Sequence, residues 1–242
     1  MSGWCRGGGD AVIRSVWQAL SEKLRPNPLS LKSALGRCRQ RIPRVGTLVD
    51  IGASNGSWSL LARRYFPEMA CFMVEAQEEH APTLAGLTTS RRGFDYIIAA
   101  AGNEDGTVNF QGGDLFGGVA THNRSGDGYR QVPMVAIDSL VKERGLTPPF
   151  ILKLDTHGFE VPILEGAREA LKQTALVVVE VYNFQLAPDS LRFHEMCSYL
   201  ESRGFRCVDM CDPIFRADGV LWQMDLLFAP EDSAEFTSNS YA

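Results

Sequence analysis

The chain has 242 residues, 45% hydrophobic and 22% charged, which suffices for one substantial core and fits a single α/β domain with small additions. No apolar run reaches the ~18 residues of a membrane span, and the N-terminus MSGWCRGGGD lacks the charged-then-apolar layout of a signal peptide, so a cytoplasmic protein is expected. The net charge of −5 hides an asymmetry, because residues 1–46 hold nine Lys/Arg against two acids while the remainder holds fifteen against twenty-seven. An acidic body argues against nucleic-acid binding. The densest basic stretch, RCRQRIPR from Arg37 to Arg44, reads as a helix face drawn to that acidic body.

Residues 10–24 and 29–41 pattern as two short helices around the breaker RPNP, an N-terminal helical cap over 1–46. Their apolar faces can cover the site or pair two subunits. From 47 onward strands and helices alternate: TLVDIG (47–52), a helix near 57–66, CFMVEA (71–76), a helix near 78–86, then FDYIIAA (94–100). This alternation indicates βαβ units and a mostly parallel sheet. A short strand TVNF (107–110) leads into a glycine-rich segment, 111–131, read as a substrate-side loop. VPMVAID (132–138) is expected to be extended, FILKLDT (150–156) a strand, and the stretch to Lys172 one amphipathic helix. ALVVVEVY (175–182) is apolar enough for a central strand. After a helix near 188–203, FRCVDM (205–210) and WQMDLLFAP (222–230) form a C-terminal antiparallel hairpin, and 231–242 is a polar tail.

LVDIGASNGSW (48–58) places an acid and two glycines where a strand turns into a helix, at the sheet edge where open α/β folds bind ligands. Glu75 ends the next strand, where an acid can accept hydrogen bonds from both hydroxyls of a ribose. A dinucleotide site needs GxGxxG, but Gly52 is followed by Ala53, Ser54, Asn55 and Gly56, which disfavours NAD.

Asp-x-Gly-x-x-x-Gly followed by an acid after the second strand resembles the S-adenosylmethionine site of Rossmann-like class I methyltransferases. The resemblance implies that Asp50 positions the amino-acid end of the cofactor, that Gly52, Ala53, Ser54 and Gly56 admit it, and that Glu75 holds its ribose. IGASNG, VEAQ, AAAGNEDGTVNF, AIDSL, LKLDTHGFEVPILEGA, VVVEVY and QMDLLFA, in that order, are similar to the FkbM family of methyltransferases over roughly Thr47 to Pro230. That likeness places Ala100 beside the adenine-binding turn. Ser54 stands where the family usually has Asn, and His157 where it commonly has Gln.

Asp155 ends its strand at the same sheet edge as Asp50 and Glu75, with Glu180 at or near the end of another. Methyl transfer from a sulfonium needs an aligned nucleophile and, for a hydroxyl, a destination for its proton. Asp155 suits anchoring of a hydroxyl acceptor, and His157 either takes the proton or holds the acceptor. No metal is expected, although Asp155, Glu180 and Asn183 offer hard oxygens for a metal-assisted variant. The six cysteines show no zinc spacing. The reading is S-adenosylmethionine-dependent O-methylation of a small-molecule hydroxyl acceptor, a sugar, polyketide or similar natural product. An NAD(P)-type oxidoreductase and a non-catalytic cofactor-binding module are the alternatives.

Overall fold

The computed structural model describes residues 27–112, 117–121 and 128–240. The first expected helix, 10–24, lies outside them. Helix α1 (Leu31–Arg41) starts at Ser30, whose hydroxyl accepts from the Ser33 N–H, and buries Ala34, Leu35 and Cys38. It ends at Ile42, just ahead of Pro43, where helical backbone is sterically disfavoured. Its outward arginines behave as the charge balance suggests. Arg37 and Arg41 both pair with Asp209, at 2.7 and 2.8 Å.

The alternating segment becomes β1 (Thr47–Ile51), α2 (Ser57–Tyr65), β2 (Ala70–Glu75), α3 (Ala81–Ser90) and β3 (Phe94–Ile98). The run FDYIIAA is not one strand. At Ala99, whose N–H donates to the Glu75 carbonyl, the chain leaves the main sheet, and β4 (Ala100–Gly102) joins a second one. That second sheet, with order β4-β7-β5-β6, adds β5 (Gly106–Gly112), β6 (Gly118–Thr121) and β7 (Arg130–Ala136). Part of the expected 111–131 loop is therefore strand.

Helix α4 (Ile137–Arg144) follows directly, so the extended stretch expected over 132–138 stops at Ala136. Next come β8 (Phe150–Leu154), α5 (Glu160–Glu165), α6 (Arg168–Leu171) and β9 (Thr174–Tyr182). The helix expected to run to Lys172 breaks at Gly166, where any Cβ would lie 2.0 Å from the Gly102 carbonyl. The chain closes with α7 (Phe193–Glu201), β10 (Phe205–Phe215) and β11 (Leu221–Pro230).

The seven strands of the main sheet lie in the order β10-β11-β9-β8-β1-β2-β3. All neighbours are parallel except β11, which runs antiparallel to both β9 and β10, as the hairpin reading requires. From β1 the chain moves outward through β2 and β3, then returns to place β8 and β9 on the other side of β1. The crevice between β1 and β8 is thus a topological switch point, where such sheets bind ligands.

Alternate side chains feed two cores. Val49, Ile51, Leu152, Leu154, Val177 and Val179 pack with the second sheet and α4 to α7. Leu48, Met73, Ile151 and Val178 face α1 to α3. Burial on both faces explains the unbroken apolar runs, and each enclosed Leu, Ile or Val contributes about 1.5–3 kcal/mol. Among the described residues no helix is long and apolar enough to cross a membrane. The described cysteines, Cys38, Cys71, Cys197, Cys207 and Cys211, are unpaired.

Candidate active site

Strand β1 delivers the chain to Gly52, whose φ of 73° is left-handed and whose missing Cβ would sit 2.0 Å from the Asp155 carbonyl. Only glycine lets the two strand ends meet this closely. Ser54 also has positive φ, at 49°, and its N–H donates to Glu75 Oε2 at 2.7 Å. Gly56, at φ 76°, opens α2. Glu75 is buried, and its other oxygen accepts from the Gln77 N–H at 2.8 Å. Each oxygen of this fixed carboxylate retains a lone pair for a ligand hydroxyl.

Asp50 is placed otherwise than the sequence suggests. Its carboxylate is wholly enclosed, accepts from Ser59 Oγ at 2.7 Å and lies 3.3 Å from Lys153 Nζ, beneath the cavity floor. Oδ1 has ion-pair proximity to the ammonium without hydrogen-bond alignment. Lys153 is the residue that sequence reasoning missed. It sits directly opposite Asp50 in the β1/β8 register, donates to the Gly52 carbonyl at 3.2 Å and reaches Asp155 Oδ2 at 3.1 Å. One buried ammonium therefore ties the glycine turn to Asp155. Burial opposes its charge, but Asp50 and Asp155 outweigh burial and hold its pKa above the ordinary value. The available signal was a single cation inside the otherwise apolar FILKL.

Beyond Asp155, His157 adopts a left-handed φ of 56°, a conformation costing of order 1 kcal/mol outside glycine. The turn is closed by Glu160, whose Oε1 accepts from the Gly158 N–H at 2.8 Å and from Thr156 Oγ1 at 3.1 Å. His157 Nε2 consequently lies 3.9 Å from Asp155 Oδ1 and 3.7 Å from Glu180 Oε2. Glu180 is oriented by hydrogen bonds from the Tyr182 hydroxyl and Gln223 Nε2. Asp225 stands opposite Glu180 on β11.

These acids titrate apart. Burial, then the Asp155 charge, pushes Glu180 up to about 8 and Asp225 up to about 6. Burial acts on Asp155 in the same sense, but Lys153 prevails and keeps its pKa below the usual value.

The two constellations face one cavity of roughly 400 Å³, within the usual range for ligand sites. Gly52, Ser54 and Glu75 line one side, and Asp155, His157 and Glu180 the other. Ala100 lies in a wall of small residues with Ala99 and Ala101, faced by Phe110 and Ala120 of the second sheet. Asp50, Ala53 and Gly56 do not line it; they shape the turn from behind. Asn183 is turned away, its side chain donating to the Leu221 carbonyl, so the oxygen set Asp155, Glu180 and Asn183 does not converge. His80 is buried and lies 3.5 Å from Ser54 Oγ.

No curated protein sequence matches the chain significantly. Among solved structures, the pre-rRNA processing protein fibrillarin of Methanococcus jannaschii superposes with a TM-score of 0.51 at 15% identity, over 85% of this chain and 76% of that one. The N-terminal domain of EvdMO1, solved with S-adenosylhomocysteine (SAH), gives 0.48 at 10% identity over 85% and 82%. The 1,6-didemethyltoxoflavin-N1-methyltransferase of Burkholderia thailandensis, solved with its substrate and SAH, gives 0.47 at 11% over 96% and 94%. At these identities the likeness concerns fold alone. The methyltransferase FkbM domain model matches residues 50–207, from the end of β1 to the start of β10, and takes in both constellations. The chain belongs to the FkbM methyltransferase family.

Proposed function

We propose that this chain transfers a methyl group from S-adenosylmethionine to a hydroxyl of a small acceptor, a sugar, polyketide or related natural product. The supporting observation is the single cavity shared by the Gly52–Glu75 side and the Asp155–His157–Glu180 side. The residues present suit the cofactor. Glu75 offers two positioned acceptors to a ribose, the close turn at Gly52 leaves room beside it, and Ala99 to Ala101 form a shallow wall for a flat base. When bound, the cofactor supplies an electrophilic methyl group on a sulfonium.

The chain's own residues do the rest. The acidic side of the cavity favours a cation, and Asp155, fixed by Lys153, accepts a hydrogen bond from the acceptor hydroxyl. His157 aims that hydroxyl toward the cofactor side, an orienting task of the kind that lowers barriers by fixing the approach.

Calorimetry with SAH and with NAD tests the cofactor. Binding of NAD but not SAH would favour the oxidoreductase alternative. Asp155→Ala is expected to reduce turnover about 100-fold or more on a panel of hydroxylated acceptors, followed by mass spectrometry, while SAH affinity changes little. Equal turnover would remove Asp155 from the acceptor side; a wild-type protein that binds SAH but methylates nothing on the panel would favour the binding-module reading.

A further inference from the structure

Three donor atoms, two carboxylate oxygens and one imidazole nitrogen, converge on the acceptor side of the cavity. One atom each from Asp155, His157 and Glu180 lies within 4.8 Å of the others. They arrive from two strand ends and a left-handed turn, and all three line the cavity wall. We propose that they hold a divalent cation of the Mg²⁺ and Mn²⁺ class, whose open coordination positions take the acceptor's hydroxyl oxygen. This deepens, and rests on, the O-methyl transfer reading above.

The spacing fits. Bonds of about 2.1 Å in an octahedral site place neighbouring ligands ~3 Å apart and opposite ligands ~4.2 Å apart. His157 Nε2 is 3.9 Å from Asp155 and 3.7 Å from Glu180, inside that span, so small side-chain rotations complete the geometry. Metal ligands are themselves normally held by further hydrogen bonds, and here the two acids are. Lys153 grips the far oxygen of Asp155, while Tyr182 and Gln223 grip Glu180.

Charge points the same way. Asp155, Glu180 and the neighbouring Asp225 face one ammonium, Lys153, which is already shared with Asp50. An added cation balances that excess. Two carboxylates and one imidazole on one wall favour a six-coordinate oxygen-preferring ion over a closed tetrahedral zinc.

Bound to the ion, the hydroxyl loses its proton to solvent. Its oxygen then forms the new bond to the methyl carbon as the carbon–sulfur bond breaks, leaving a neutral thioether.

Titrating Mn²⁺ into the full chain, with and without SAH, tests the site by calorimetry and water-proton relaxation. We expect about one equivalent bound, with His157→Ala and Glu180→Gln each weakening Mn²⁺ by about tenfold or more while SAH affinity is retained. Retained SAH affinity also reports that the variants fold. Wild-type protein that binds SAH but takes up no Mn²⁺ at millimolar concentration would overturn the cation site and leave the methyltransferase reading standing. Unchanged Mn²⁺ affinity in both variants would overturn it equally. Uptake of Mn²⁺ that depends on both residues, without any SAH binding, would support the cation site and sink the cofactor reading instead.

Discussion

At the Gly52 side of the crevice polar needs are met by backbone: both oxygens of Glu75 accept from N–H groups of neighbouring turns, and a glycine creates the space. At the Asp155 side they are met by side chains, with Lys153, Glu180, Tyr182 and Gln223 leaning on one another from three strands. A backbone-made rim is set once the sheet pairs, and it tolerates little change. A side-chain rim can be retuned residue by residue, so this is where chemistry within a shared fold can vary.

The sharpest way to break this contrast is at the residue joining the two rims. Lys153→Met leaves Asp50 enclosed without its cation and should cost about 3–5 kcal/mol in urea unfolding. A loss below about 1 kcal/mol would show that the two sides are independent. Gly52→Ala drives a methyl against the Asp155 carbonyl and should cost about 2–3 kcal/mol, with SAH binding lost by calorimetry; unimpaired binding would mean that the turn has slack. Glu75→Ala should weaken SAH about 10- to 100-fold, the value of one or two charge-assisted hydrogen bonds, and unchanged affinity would displace the ribose from this strand end.

The smallest effect concerns pH. Asp225 has its pKa raised from 3.8 to about 6, so the folded state holds this proton more tightly than the unfolded chain. Stability should therefore fall as pH rises through that window, and Asp225→Asn should flatten the decline. A wild-type profile that overlays the variant's would place Asp225 in a wetter setting than its strand position gives it.

The main sheet was legible in the sequence because β1, β2, β8 and β9 are buried on both faces and read as apolar runs. The glycine turn and Glu75 were legible because their spacing is local. What escaped was non-local. Helix α4 has no side-chain cap at Ala136, and its Asp138 instead accepts from the N–H groups of Glu169 and Ala170, thirty-odd residues away. The second sheet escaped because FDYIIAA carries no breaker at Ala99; the turn away is imposed by packing. Lys153 escaped because its register partner, Asp50, lies on a different strand.

The long-range ties have a consequence for how the chain is made. Arg37 waits 172 residues for Asp209, and Glu180 waits 43 for Gln223 on the last strand. Strand β9, nine residues and mostly apolar, stays an open edge until β11 arrives. Assembly dominated by such distant pairings is slow, and an unpaired apolar edge invites other chains. A nascent chain halted before Leu221 can complete the Gly52 side but not the Asp155 side, and it exposes its stickiest strand while it waits.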